Sequence, residues 1–140
     1  MKNETDLTIR VHPKFSSRVN RARLKKIVAK TLRAEKAQAT LTIYVTTDDE
    51  MRQLNRDFHA TNAPTDVLSF LSGDIVISYD TAKIQAREAK WRIADELDLL
   101  AVHGTLHLLG YNDLTPRKRA RMWQRQREIL GRIAGENGKE

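Results

Sequence analysis

The chain has 140 residues, 40% of them hydrophobic and 31% charged, with a formal net charge of +7. That is the size of one ordinary domain with its own hydrophobic core, and no segment approaches the length of a membrane span, so disordered and membrane-spanning classes are excluded. Cysteine is absent, which excludes disulfides and thiolate metal sites; any metal must be held by His, Asp or Glu.

MKNETDLTIR lacks the apolar run of a signal peptide, so a cytoplasmic protein is expected. DLTIRVH (6–12) alternates apolar and polar residues as a half-buried strand, stopped by Pro13. From Ser17 to about Ala34, Val19, Leu24, Ile27, Val28 and Leu32 mark one face of a helix whose other face is Arg and Lys. ATLTIYVTT (39–47) is β-branched and alternating, a second strand. Asp48 is expected to cap a helix running to about His59, with acidic residues in its first turn.

After the loop ATNAPT, DVLSF (66–70) and GDIVISY (73–79) read as a hairpin closed through Leu71–Gly73. Asp80 is expected to cap a helix containing Ile84, Ala86 and Ala89, and a further helix runs from about Ile93 to Leu109, ended by Gly110. Thr115-Pro116 opens a basic helix carrying Met122, Trp123, Ile129, Leu130 and Ile133. With no repeats, low-complexity tracts or linkers, residues 1–140 are expected to form a single α+β domain of about four strands and five helices.

The charge is unevenly spread. Residues 1–40 hold 11 Lys and Arg against 3 acidic residues; 41–113 hold 6 against 12; 114–140 hold 8 against 3. Basic ends around an acidic middle suggest a polyanion partner, RNA or DNA, although a solvated basic helix face gives the same pattern.

HGTLHLLGYND (103–113) carries the densest chemistry. On a helix, His103 and His107 project from nearly one face, a spacing at which two imidazoles reach one metal ion. Gly110 then releases the chain, and Asp113 is placed to return as a third ligand, leaving an open position for water. The layout H-x-x-x-H-x-x-G-x-x-D is that of metzincin-type zinc peptidases with a carboxylate last. Those enzymes place a Glu directly after the first histidine as base; here that position is Gly104, which disfavours peptide hydrolysis and suggests a close approach of substrate or backbone. The plainer alternatives are two ordinary helix histidines and, for Asp113, turn chemistry. Glu96, seven residues before His103, is either a partner fixing a histidine tautomer or a surface carboxylate.

This segment resembles the YbeY family of metal-dependent endoribonucleases, whose pattern there is His-Gly-x-Leu-His-Leu-x-Gly-Tyr-Asp-His. LNRDFHATNAPTDVLSF (54–70) and GDIVIS (73–78) are similar to further blocks of the same family, in the same order. The resemblance implies an α+β fold with a small mixed sheet, a metal site at the end of a central helix, and one Zn2+ per chain. His103 and His107 take the first two ligand positions, and Asp113 stands where the family has a third histidine. An aspartate there adds negative charge, which makes bound water less acidic, and a harder site accepts other divalent ions more readily. His59 occupies the place of an arginine that the family uses on RNA; it donates to a phosphate when protonated, acts as a base when neutral, or is a position that has lost its role. Asn62 replaces the motif's first Asp, and the loop before Gly73 is short for the family.

The function so implied is metal-assisted cleavage of single-stranded RNA in maturation of the 16S rRNA 3′ end and in ribosome quality control. Its partners would be the 16S rRNA precursor and the small ribosomal subunit, with no DNA and no membrane. Arg21, Arg23, Lys25, Lys26 and Lys30, with Arg117, Lys118, Arg119 and Arg121, are the cations available to draw RNA in. The rival readings are a non-catalytic ribosome-associated factor with a structural metal and a zinc metallopeptidase.

Overall fold

A computed structural model of the chain describes residues 6–59 and 65–131, the side chain of His59 excepted. Strand β1 (Asp6–Val11) leads through a 3₁₀ turn (Pro13–Phe15) to helix α1 (Arg21–Ala34), and strand β2 (Thr40–Thr46) leads to helix α2 (Asp48–His59). Strands β3 (Val67–Ser69) and β4 (Asp74–Ser78) precede helices α3 (Tyr79–Ala89), α4 (Ile93–Leu108) and α5 (Pro116–Leu130). The sheet order is β1-β2-β4-β3; β1, β2 and β4 are parallel, and β3 runs antiparallel to β4. The expected α+β class, mixed sheet of four strands and five α-helices are thus present among the described residues.

Strand alternation divides the core. Leu7, Leu41, Ile43, Val45, Ile75 and Ile77 point to one face, where they meet Leu24, Val28 and Leu32 of α1 and Leu97, Leu100 and Ala101 of α4. The intervening residues Val76 and Leu68 meet Met51 of α2 on the opposite face. Helix α4 packs against α1, α3, α5, β3 and β4, which explains why its sequence is apolar on nearly every side.

Helix starts depart from the sequence reading. Helix α1 begins at Arg21, not Ser17, because Asn20 Oδ1 accepts the Arg23 N–H at 3.0 Å while the chain before it spends its turn on Pro13–Phe15. Thr47, not Asp48, caps α2, its Oγ1 accepting from the Glu50 N–H at 3.2 Å. Ser78, not Asp80, caps α3 by accepting from the Thr81 N–H. The two aspartates tie the helix starts together: Asp80 Oδ2 accepts the Asp48 N–H at 2.8 Å, and Asp48 Oδ1 accepts from Ser78 and Thr81 hydroxyls. Two large apolar residues of these helices, Ile84 and Trp123, are 56% and 53% exposed. Ile133 lies outside the described residues.

Gly104 is where α4 crosses the sheet. A Cβ there would stand 2.7 Å from Ile75 Cγ2, 3.2 Å from Ser69 Oγ and 3.3 Å from Val67 Cγ2. The close approach inferred for this glycine is therefore made by strand side chains of β3 and β4. Overpacking costs about 1–3 kcal/mol, against about 1 kcal/mol gained in helix propensity. Gly104→Ala is expected to lose about 1 kcal/mol of stability in urea unfolding, and an unchanged midpoint would mean that Ile75 yields freely.

Candidate functional site

His103 and His107 lie one turn apart on α4, their rings parallel within 8° and their centroids 6.2 Å apart. His103 is half-buried, and its Nδ1 stands 2.7 Å from Oε1 of Gln126, a 1% exposed residue of α5. An amide oxygen can only accept, so with Gln126 in this orientation Nδ1 is the donor, and a neutral ring then has its Nε2 lone pair for a ligand. His107 is exposed in the last turn of the helix.

The helix then ends as its sequence dictates. Gly110 takes φ +109, and the N–H groups of Gly110 and Tyr111 donate to the carbonyls of His107 and Leu106, each at 3.1 Å. Asn112 Oδ1 accepts the Leu114 N–H, and Asp113 is exposed on this turn. Among the described residues no three His, Cys, Asp or Glu side chains are gathered around one point. The structure brings the two histidines together and does not bring Asp113 to them. His59 is the last residue of α2, with its side chain outside the description, and Asn62 lies outside the described residues. As donors, two imidazoles one helical turn apart are ligands of the type a zinc-like cation takes.

Gln126 is the residue that sequence reasoning missed. Its signal was present: Met122, Gln126 and Ile129 are the buried stripe of α5, and a polar side chain on such a stripe needs a partner. Glu96 is the reverse case. It is 5% exposed rather than on the surface, and its Oε1 accepts Trp91 Nε1–H at 2.8 Å; the residue fixing His103 is Gln126.

Burial pushes the Glu96 carboxyl above the usual glutamate range; the Trp91 hydrogen bond pulls it down and the Asp66 carboxylate pushes it up. A carboxyl raised in the folded state contributes its stability fully below the ordinary glutamate value and loses it as pH rises through the folded value. Glu96→Gln keeps an acceptor for Trp91 and removes the titration. Its melting temperature is expected to exceed that of the parent near neutral pH, the difference closing as pH falls through the glutamate range. Parallel melting curves across that range would contradict the buried-acid account.

Two clefts flank α4, one of them reaching His103. One, of about 330 Å³, sits at the end of α4 and is lined by Gly110, Tyr111, Asn112, Lys118, Arg121 and Glu35. The other, of about 250 Å³, reaches His103 from the α3 side and is lined also by Asp66, Gln85, Glu96, Trp123 and Gln126. Of the cations named from sequence, Arg23 is engaged elsewhere, donating to Asp95 and Asp98 at 2.8 and 2.9 Å; Arg21, Lys25, Lys26, Lys30, Arg117, Lys118, Arg119 and Arg121 are exposed. No helix among the described residues is long and apolar enough to cross a membrane.

Comparison with known proteins gives a consistent result. The family model described as endoribonuclease YbeY matches residues 10–134. A protein of that name from Chloroflexus aggregans is 39% identical over 132 residues, covering 80% of this chain and 86% of its own length. Another, from Anaeromyxobacter sp., is 36% identical over 136 residues, covering 88% of this chain and 70% of its own. The solution structure of TM1509 from Thermotoga maritima superposes with a TM-score of 0.67 at 25% identity, covering 95% of this chain and 92% of that one.

Proposed function

This chain belongs to the endoribonuclease YbeY family, and from that premise we propose that it is a metal-dependent endoribonuclease cleaving single-stranded RNA, with the 16S rRNA precursor as its substrate in the cytoplasm. The observation that carries the reading is the parallel histidine pair on α4, with His103 held by Gln126 in the tautomer that frees Nε2. His103, His107 and Asp113 would hold one Zn2+ or similar divalent ion. Such an ion, when bound, polarises a phosphoryl oxygen and lowers the pKa of water.

The protein's own groups do the rest. Gln126, locked in the core of the α4–α5 contact, keeps the His103 ring from turning and from trading its proton between nitrogens. Lys118 and Arg121 border the cleft at the end of α4, where two cations favour a phosphodiester over a peptide. Gly104 leaves no carboxylate beside His103 of the kind zinc peptidases use as base, and its place is filled by packing on Ile75.

The test pairs metal content with substrate choice. Purified protein should carry about one divalent ion per chain and, so loaded, cleave labelled single-stranded RNA faster than the same RNA in duplex, with casein untouched. Casein hydrolysis would favour the peptidase; a bound ion with no RNA cleavage, including of 16S rRNA 3′-end precursor, would favour a structural metal in a non-catalytic factor.

A further inference from the structure

We propose that the cleft between α3, α4 and α5 is a nucleobase subsite, which takes one unstacked base of single-stranded RNA against Trp123 and reads an amino group on it through Gln85 Oε1. The proposal rests on the ribonuclease reading above and extends it from the bond cleaved to the base beside it.

Three observations meet there. The cleft holds about 790 Å³, within the range of small-molecule sites, and its walls are Trp91, Leu99, Leu130 and the 53% exposed Trp123. An indole left half in water on a helix that buries Met122 and Ile129 is open to a ligand, and stacking of splayed bases on aromatic rings is the general means of holding single-stranded RNA.

Second, Gln85 Oε1 is inaccessible to solvent and has no hydrogen-bond partner among the described residues. Gln85 lines both this cleft and the 250 Å³ pocket that reaches His103. A buried acceptor left unmade is costly, and the ligand that satisfies it must bring a donor. The exocyclic amines of adenine (N6) and cytosine (N4) are such donors; uracil has a carbonyl oxygen at that ring position and only a ring N3–H beside it.

Third, the charges sort base from phosphate. Asp66 and Glu96 line the inner pocket and repel an anion, so the floor suits an uncharged ring. Glu88 and Glu96 also line the outer cleft, where Arg127 is the one lining cation among the described residues, so the ribose-phosphate backbone is held outside it on the Arg127 side. Gln85, Glu96, Leu99, Trp123 and Gln126 line both spaces, so a base seated in the cleft lies beside the pocket that reaches His103.

Binding of short labelled oligo(A), oligo(C) and oligo(U) to the intact zinc-loaded protein, read by fluorescence anisotropy, tests this. Oligo(A) and oligo(C) are expected to bind more tightly than oligo(U). Trp123→Ala should weaken all three by about tenfold and Trp123→Phe by much less, while Gln85→Leu should erase the preference for amino-bearing bases. Far-ultraviolet circular dichroism on each variant checks folding, and exposed Trp123 is not expected to matter to it. Trp123→Ala binding within about twofold of the parent, or a base preference that survives Gln85→Leu, overturns the subsite, even if the protein still cleaves RNA. The converse result, discrimination among oligonucleotides that vanishes in these variants in a protein that cleaves none of them, keeps the subsite and removes the nuclease reading. Failure of the parent to bind any oligonucleotide removes both.

Discussion

Alanine at His107 is expected to leave the fold standing and to reduce RNA cleavage by more than about a hundredfold. The magnitude follows because losing a partner that merely orients a metal ligand costs about 10–100-fold, and losing the ligand itself costs more. The fold should survive because His107 is exposed, and its packing contributes little beyond a favourable charge in the last turn of α4, worth about 0.3–1 kcal/mol when protonated. His103→Ala is a less clean experiment. It strands the amide of Gln126, 1% exposed, and is expected to cost about 1–3 kcal/mol of stability along with activity. Gln126→Leu separates orientation from ligation: activity and metal affinity should fall by about 10–100-fold with both histidines in place. Cleavage at the parent rate by the double variant His103→Ala, His107→Ala would end the proposal. Unfolding of His107→Ala would instead indicate that the ion holds the Gly110 turn together.

The parts legible in the sequence are those written in a short window. The alternation of Leu41, Ile43 and Val45 marks a strand wherever its neighbours lie, and the register pairs those residues with Leu7, Ile9 and Val11 as the pattern requires. Gly110 and Thr115-Pro116 end and begin helices by local backbone geometry, and both do so. Helix starts were less legible because several polar residues compete for one backbone N–H: Thr47 outdoes Asp48, and Ser78 outdoes Asp80, since the aspartates are drawn into a bond between two helices. No local pattern encodes that choice.

The same division runs through the candidate site. The spacing of His103 and His107 is intrahelical and could be read directly, and the stacked rings follow from it. Gln126 is 23 residues away, and only the packing of α5 on α4 makes it a partner. Trp123 carries the opposite lesson: it is next to Met122 in sequence, yet the buried stripe of Met122, Gln126 and Ile129 turns it outward. Asp113 follows a glycine with positive φ, so where its carboxylate goes depends on a turn that sequence spacing does not set.

Arg23→Ala is expected to lose about 3 kcal/mol of stability, a large share of the 5–15 kcal/mol typical of a domain. In the sequence Arg23 is one of several cations facing a polyanion; in the structure its Nη2 donates to Asp95 Oδ1 at 2.8 Å and its Nε to Asp98 Oδ2 at 2.9 Å. The two carboxylate side chains are 1% and 12% exposed, and removing the cation leaves their charge in a poorly solvated place. Asp95 Oδ2 also accepts the Arg92 N–H at the start of α4, so the ion pair anchors the N-terminal turn of the helix that bears both histidines. Arg23→Lys keeps the charge but not the two-pronged donor geometry, and should fall between the parent and alanine. Urea unfolding gives the comparison, with the midpoint shifting at constant slope. If Arg23→Ala instead weakened RNA binding and left the midpoint in place, Arg23 would be one of the RNA-facing cations and the anchoring of α4 would have to come from its apolar contacts with α1 alone.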